Sequence, residues 1–248
     1  MISYRLLDKY GGTFRSYWTI IPVMPHRERE IRVLYEDNHL LALFKPAGML
    51  VQGDRTEDPS LLDWAKAWIG KRYAKPGRVF IGLVHRLDRP VPGVVLFART
   101  SKAASRLSAQ FRSRSVKKVY WAVAHGHLRP ADGIARNYIS RKQGRAALTL
   151  PDDPSGRYAE LRYKTIDRKP GASLVEITLV TGRHHQIRAQ LSALGHPIVG
   201  DVKYGSPRQT PSGSIALLAR RLTCRHPTKP MDMTFQAPLP EDWPWGEQ

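Results

Sequence analysis

The stretch VHRLDRPVPGVVLFART, residues 84–100, ends in GVVLFA (93–98), a continuous apolar run rich in β-branched residues. Such a run is typical of a strand that is buried on both faces. RVFIGLV (78–84) has a similar composition, so we predict two buried strands with a short connection between them. Within the connection, Val91-Pro92-Gly93 predicts a type II turn, because proline presets φ and glycine accepts a positive φ.

Further apolar runs and helical spacings divide the rest of the chain into short elements. Strands are predicted at 31–37, 40–44 and 117–125, and near 145–150, 159–166 and 173–180. Helices are predicted at 60–73 with Ser60 as N-cap, at 101–114 with Ser101 as N-cap, and at 181–197 with Gly195 as C-cap. Residues 200–248 are predicted to return to loops and short strands.

This order of elements predicts an α/β fold of the α+β type, with a mixed, largely antiparallel sheet flanked by helices. Since no internal repeat and no linker divide residues 31–248, we predict a single domain there. Residues 1–30 are predicted to be an irregular N-terminal extension. They lack the continuous apolar core of a signal peptide.

The charge of the chain indicates a polyanionic partner. Forty Lys and Arg residues against 21 Asp and Glu residues give a formal net charge of +19. A field of this size attracts nucleic acid, and the chain shows no long basic amphipathic helix that would favour a membrane surface. A single cysteine, Cys224, excludes an intramolecular disulfide and fits a cytoplasmic protein. No apolar run approaches the ~18 residues that cross a membrane.

Several other kinds of site are disfavoured by the sequence. His184, His185 and His196 could suggest a metal site, but adjacent residues of a helix point about 100° apart and no HExxH pattern is present. No serine lies in a G-x-S-x-G elbow, and no glycine-rich nucleotide-binding loop is found. We therefore predict neither a metal nor a cofactor.

Asp88 is the residue that needs an explanation, because it lies between Arg86 and Arg89 in a strongly basic chain. An aspartate in a turn is often structural. Phosphates nearby would raise the pKa of its carboxyl group unless a cation favours the charged form. If the acid takes part in a reaction, we expect an arginine partner, and the predicted helix that contains Arg183 and Arg188 could supply it.

Four separated stretches resemble the RluA-type family of RNA pseudouridine synthases. The motifs HRLD, TGRxHQIR and GHPIxGDxxYG follow one another in this order, and the resemblance extends over about residues 31–240. The stretches are VLYEDNHLLALFKPAGML (33–50), HRLDRPVPGVVLFART (85–100), KKVYWAVAHG (117–126) and TGRHHQIRAQLSALGHPIVGDVKYG (181–205).

The resemblance implies that residues 31–248 are a catalytic domain that isomerises uridine to pseudouridine in rRNA or tRNA without a cofactor or a metal. Asp88 matches the catalytic aspartate, which acts either as a nucleophile on the ribose or uracil or as the base that removes a ribose proton. Tyr120 matches a tyrosine that stacks on the target base and assists the final proton removal. Arg188 matches the arginine that pairs with the aspartate.

Three further residues are implied to bind the RNA. Arg86 matches a residue that fills the gap left by the extruded nucleotide, although a simple phosphate contact is an equal alternative. Ile187 matches an aliphatic residue beside the base, and Arg183 is a candidate phosphate contact. The family weighting also implies a monomer. A non-catalytic RNA-binding or RNA-chaperone protein on the same fold stays open as the alternative.

Overall fold

The structure is a computed structural model that describes residues 31–54, 56 and 58–246. Within these residues, eleven strands form one sheet and three α-helices lie against it. The helices are α1 (Leu61–Arg72), α2 (Ser101–Arg112) and α3 (Gln186–Ala193). The strands, in chain order, are β1 (Arg32–Glu36), β2 (Leu40–Lys45), β3 (Gly82–Leu83), β4 (Gly93–Ala98), β5 (Lys117–His125), β6 (Asp132–Lys142), β7 (Arg145–Thr149), β8 (Arg157–Lys169), β9 (Ala172–Leu179), β10 (Leu217–Arg225) and β11 (Asp232–Gln236).

The sheet is mixed, with neighbours in the order β1-β2-β4-β10-β5-β9-β8-β6-β7, while β3 pairs with β4 and β11 pairs with β10. Among the strand pairs of the described residues, β4 with β10 is the parallel one and the others are antiparallel. The predicted fold class, α+β with a mixed, largely antiparallel sheet, is confirmed.

Strand β4 is buried on both faces because helices cover both sides of the sheet at this point. All six of its residues are buried. Val94, Leu96 and Ala98 pack in one cluster with residues of α2, whereas Val95 and Phe97 pack in another with residues of α1. Strands of this kind cannot alternate between apolar and polar residues, which explains the continuous apolar run at 93–98.

The parallel contact between β4 and β10 explains the Pro92-Gly93 pair, and the turn predicted at residues 91–93 is wrong. Pro92 accepts a hydrogen bond at its carbonyl from the Ala219 backbone at 2.9 Å. Gly93 has φ 134, and a Cβ there would lie 2.4 Å from the Ala219 carbonyl oxygen. The real turn comes earlier, where the Val91 backbone N–H donates to the Asp88 carbonyl at 3.0 Å. The Pro-Gly signal therefore marks a close strand contact.

Other predicted elements differ in extent from the observed ones. The predicted strand 78–84 shrinks to Gly82–Leu83, with Phe80 half exposed, because Gly82 pairs with Ala98 at the end of β4 and residues 78–81 extend past that end. Helix α2 is capped by Thr100, whose hydroxyl accepts from the Ala103 N–H at 3.2 Å, and not by Ser101 as predicted. Strand β6 was not predicted, since most of its residues are partly or fully exposed. The nine-residue strand β10 also exceeds the loops and short strands expected there.

The helix predicted at 181–197 begins only at Gln186. Gln186 is buried, and its amide oxygen accepts from the Thr181 hydroxyl at 2.8 Å and from the Arg183 backbone N–H at 3.0 Å. These bonds hold the segment before α3 in a loop. His185 ends that loop in the left-handed region with φ 50, which a helix does not accommodate. Gly195 follows the helix with φ 82, as expected of a C-terminal glycine.

The division of the chain into an extension at 1–30 and a catalytic domain at 31–248 stays a prediction, because residues 1–30 lie outside the described residues. Within the part that is described, none of the helices is long and apolar enough to cross a membrane.

Replacing Gly93 with alanine should lower the free energy of unfolding by about 1–3 kcal/mol, because the new Cβ meets the Ala219 backbone. Urea unfolding of the variant against the parent checks this. Gly53→Ala is the matched control, since a Cβ at Gly53 has nothing within 4 Å. Equal stability of the two variants would show that the β4–β10 contact does not require glycine.

Candidate active site

One cavity of about 510 Å³ opens between the segment before β4, strand β5 and the loop before α3. All the site residues predicted from the sequence contribute to its lining. They are Arg86, Asp88, Tyr120, Arg183, Ile187 and Arg188. Residues separated by about a hundred positions therefore meet at one place.

The turn that carries Asp88 is fastened by a buried lysine at the end of β2. Lys45 is fully buried, and its ammonium group donates to the carbonyls of Pro46 at 2.9 Å, Met49 at 2.9 Å and Arg89 at 3.1 Å. The backbone N–H of Gly48 also donates to the Arg89 carbonyl, at 2.8 Å. Lys45 thus joins the segment KPAG to the turn and brings a positive charge close to the Asp88 carboxylate.

Arg188 lies between two carboxylates and is held mainly by the one that the sequence did not single out. Its Nε and Nη2 atoms donate to the two oxygens of Asp201 at 2.6 and 2.7 Å. Its Nη1 atom lies 3.7 Å from Oδ2 of Asp88. The predicted pairing of Arg188 with Asp88 is therefore present as the longer contact, and Asp201 fixes the direction of the guanidinium group.

His184 and His185 lie side by side, contrary to the expectation that they diverge. Their rings stack with centroids 3.7 Å apart, because this segment is a loop and not a helix. Nε2 of His185 is 3.5 Å from Oδ2 of Asp88. With the Asp88 carboxylate, the two histidines place possible ligand atoms within 4.8 Å of one another. The guanidinium of Arg188 beside the same carboxylate disfavours a cation there, so the group suits hydrogen bonding better than metal binding.

Burial raises the pKa of both central groups of the cavity, whereas the neighbouring charges act on the two groups in opposite directions. Burial raises the pKa of the Asp88 carboxyl, while the positive charges of Arg188, His184 and Lys45 act to lower it. Burial, and then the negative charge of Asp88, raise the pKa of the Tyr120 hydroxyl above its usual value. Tyr120 is therefore a neutral phenol at neutral pH.

Basic side chains surround the single acid of the cavity. Among the described residues that line it, Asp88 is the one carboxylate. Arg183 is fixed by its Nε atom, which donates to the Tyr158 carbonyl at 2.9 Å. The other cations are Arg86, Arg112, Arg114, Lys118 and Arg188. An anion that enters the cavity would meet positive charge on several sides.

Four residues of this site were not assigned a role from the sequence, namely Lys45, His185, Asp201 and Tyr204. Tyr204 lies under the guanidinium of Arg188, whose carbon is 4.8 Å from the ring centroid. Asp201 and Tyr204 both stand in GDVKYG, and Lys45 opens KPAG. Lys45 and Asp201 are charged residues that directly follow apolar runs, and this position was the signal in the sequence that could have identified them.

Comparisons with known proteins agree on one family. The sequence model of the family described as RNA pseudouridylate synthase matches residues 39–193. The chain is 34% identical over 226 residues to the dual-specificity RNA pseudouridine synthase RluA of Haemophilus influenzae, covering 88% of this chain and 97% of the relative. It is 32% identical over 215 residues to the ribosomal large subunit pseudouridine synthase C of Vibrio vulnificus, covering 84% of this chain and 66% of the relative. The chain thus spans about two thirds of the length of that second relative.

Solved structures share the fold. Human RNA Pseudouridylate Synthase Domain Containing 4 superposes with a TM-score of 0.73 at 24% identity, covering 85% of this chain and 89% of that chain. Human RNA Pseudouridylate Synthase Domain Containing 1 has a TM-score of 0.67 at 25% identity, covering 87% and 86% of the two chains. These likenesses agree with the α+β fold class predicted from the sequence.

Replacing Asp201 with asparagine should destabilise the protein by about 3–5 kcal/mol, because the buried guanidinium of Arg188 loses its closest counter-charge. Chemical denaturation measures the change. The control is Asp58→Asn, which breaks an ion pair whose side chains are 43% and 45% exposed and should cost less than about 1 kcal/mol. Similar small losses in both variants would contradict the anchoring role of Asp201.

Proposed function

Because the chain belongs to the RNA pseudouridylate synthase family, we propose that it isomerises uridine to pseudouridine in RNA, with Asp88 as the catalytic carboxylate. The membership confirms the family resemblance carried by the sequence motifs. The observation that supports the catalytic assignment is the position of Asp88, the one acid among the described residues that line a cavity rich in cations.

The proposed reaction balances without a co-reactant. The bond between the ribose and the uracil nitrogen breaks, the uracil turns, and a carbon of the ring bonds to the same ribose carbon. The proton lost from that ring carbon is matched by one gained at the freed nitrogen. Asp88 acts either as the nucleophile or as the base that removes a ribose proton, and both roles require the carboxylate form. Arg188, His184 and Lys45 favour that form.

Tyr120 and Ile187 are proposed to hold the uracil. Tyr120 lies on β5 at the cavity wall, and Ile187 is buried at the start of α3. An aromatic face and an aliphatic side chain together provide the apolar sides of a base pocket. The raised pKa of the Tyr120 hydroxyl favours stacking over the role of a proton-accepting phenolate.

The cations around the cavity are proposed to bind the RNA backbone. A glycosidic bond within a stacked helix is inaccessible, so the target uridine has to leave the stack before it enters the cavity. Arg86 is exposed at the rim and could fill the gap or contact a phosphate. Arg183, fixed to the Tyr158 carbonyl, is proposed as a phosphate contact.

We propose rRNA or tRNA as the substrate class and a cytoplasmic monomer as the form of the protein. The net charge of +19 supports a nucleic acid as the partner, and the single cysteine supports a reducing compartment. Sequencing that maps pseudouridine across cellular RNA with and without this chain identifies the modified uridine.

Replacing Asp88 with asparagine should reduce pseudouridine formation by more than about 100-fold, since the amide is neither nucleophile nor base. RNA affinity should stay close to that of the parent, because the cations of the cavity remain. Pseudouridine mapping on the RNA and equilibrium binding measure the two properties separately. Asp132→Asn, at an exposed position of β6, is the control. If the asparagine variant formed pseudouridine at the parent's rate, Asp88 would not be the catalytic carboxylate and only its place in an RNA-binding surface would remain.

Replacing both Arg112 and Arg114 with glutamine should weaken RNA binding and flatten its salt dependence. Each lost phosphate contact should reduce the slope of log affinity against log salt by about 0.7–0.9. Binding titrations between low and moderate salt check this. Arg168→Gln removes one exposed charge of β8 outside the cavity and should change the slope less. An unchanged slope in the double variant would reject the cavity rim as a backbone-binding surface.

A further inference from the structure

His185 occupies an unusual place beside the carboxylate of Asp88. Its backbone is left-handed with φ 50, and its side chain is only 10% exposed. The ring stacks on His184 and meets the Tyr204 ring edge-on at 5.5 Å between centroids. Nδ1 lies 2.8 Å from the Tyr204 hydroxyl, and Nε2 lies 3.5 Å from Oδ2 of Asp88. The two ring nitrogens therefore connect Tyr204 with Asp88.

The Tyr204 hydroxyl decides which nitrogen of His185 carries the proton. The backbone N–H of Ala146 donates to this hydroxyl at 2.7 Å, so one lone pair of the oxygen is occupied. Within the described residues, Nδ1 of His185 is the acceptor in reach of the hydroxyl hydrogen at 2.8 Å. A buried hydroxyl is expected to use its hydrogen, so Tyr204 donates to Nδ1. The remaining ring proton then belongs to Nε2, which faces Asp88.

The surroundings keep the His185 ring neutral. Burial lowers the pKa of its imidazole, and the positive charges nearby lower it further, to about 3; these charges belong to Arg188, His184, Lys203 and Arg141. Burial also raises the pKa of the Tyr204 hydroxyl, so this group keeps the hydrogen that it donates. His185 is therefore a neutral donor over the pH range in which Asp88 is ionised.

Both donors near Asp88 address the same oxygen. Nε2 of His185 lies 3.5 Å and Nη1 of Arg188 lies 3.7 Å from Oδ2. Both distances are long for hydrogen bonds, and such contacts in an active site tighten when the substrate is bound. Two donors on Oδ2 fix the plane of the carboxyl group and leave Oδ1 as the oxygen that can turn towards a bound uridine.

We propose that Tyr204 and His185 form a positioning relay, in which the Tyr204 hydroxyl fixes the Nε2–H tautomer of His185 and this N–H, together with Arg188, anchors Oδ2 of Asp88 so that Oδ1 reacts. The inference rests on the proposed function of Asp88. A neutral donor suits this task, because a charged one would bind the carboxylate more strongly and reduce its basicity. His185 and Tyr204 are positioning residues that act through Asp88.

The relay is measured through the pKa of Asp88, which depends on all the groups around its carboxylate. Groups from four parts of the chain face it or influence its charge, namely Lys45 at the end of β2, Tyr120 of β5, His184 and His185 of the loop, and Arg188 of α3. Loss of the His185 donor removes one stabilising contact of the carboxylate form. The pKa of Asp88 then rises, and the acidic limb of the activity profile moves to higher pH.

The first experiment removes the Tyr204 hydroxyl and keeps the ring. In Tyr204→Phe, nitrogen NMR of His185 should change from a single Nε2–H tautomer to a mixture. Carbon NMR titration of the Asp88 carboxyl should show its pKa raised by about 0.5–1 units, and the acidic limb of kcat should move equally, with KM little changed. The control is Tyr35→Phe, which removes a hydroxyl bonded to Asp37 at 3.1 Å and should leave Asp88 unaffected.

The second experiment compares two replacements of His185 with side chains of similar length. His185→Gln keeps an N–H donor near the ε position, and His185→Met keeps none. The glutamine variant should hold the pKa of Asp88 closer to that of the parent than methionine does, and adding Tyr204→Phe to it should cause no further shift. Thermal unfolding checks that each variant is folded. If His185→Met is not folded, the comparison of His185→Gln with Tyr204→Phe is sufficient to test the relay.

Two results would overturn the relay, whatever the protein does to RNA. One is an Nδ1–H tautomer of His185 in the parent, and the other is an unchanged pKa of Asp88 in Tyr204→Phe. Because both NMR measurements need no turnover, they are independent of the proposed function. If the parent forms no pseudouridine while the tautomer and the pKa shift are as expected, the proposed function fails and the contact network stands.

Discussion

The buried guanidinium of Arg188 is the charge around which the site is arranged. An ion of this kind is unstable in a protein interior unless its donors and its charge are matched. Asp201 supplies both through two short hydrogen bonds, and the ring of Tyr204 covers one face. The remaining nitrogen of the guanidinium group, Nη1, extends towards Asp88. The direction of the arginine is thus set from behind, independently of the carboxylate that it faces.

The site lies where the two halves of the sheet meet. Strand β4 joins β10 through the close contact of Gly93 with Ala219, and β5 follows on the other side of β10. Asp88 precedes β4 and Tyr120 belongs to β5, so this junction brings the acid and the aromatic ring to one cavity. Lys45 adds a second fastening from β2 by binding the Arg89 carbonyl. A shift at the junction would move the acid relative to the aromatic ring.

The cavity combines attraction for RNA with an acid that RNA would repel. Burial and phosphates both favour the protonated form of Asp88, whereas the positive charges around it favour the carboxylate. The proposed relay of the neutral groups Tyr204 and His185 would orient the Asp88 carboxylate without adding a further charge to the cavity. Arg188, one of the cations that line the cavity, is also the largest of the charges that favour the carboxylate form of Asp88.

Elements whose signals are local could be predicted from the amino-acid sequence alone. The double-sided burial of β4, the Ser60 cap of α1, the α+β class with a mixed, largely antiparallel sheet and the family motifs could be predicted from residues close together in the chain. The six site residues that the motifs indicated, from Arg86 to Arg188, all line the cavity, whereas the contributions of Lys45, His185, Asp201 and Tyr204 were not indicated. Their catalytic roles stay predictions.

Features that depend on distant partners could be recognised only in the folded protein. Pro92-Gly93 looked like a turn because Ala219, which requires the glycine, is more than a hundred residues away. The helix was predicted too long, at 181–197, because the hydrogen bonds of the Gln186 side chain hold the preceding residues in a loop. Strand β6 was missed because its pairing with β7 and β8 stabilises it more than buried apolar residues do. The roles of Asp201 and Tyr204 likewise depend on their contacts with Arg188 and His185. Local sequence records backbone preference and burial, whereas the pairing of charges and hydrogen bonds is fixed only when the sheet brings the partners together.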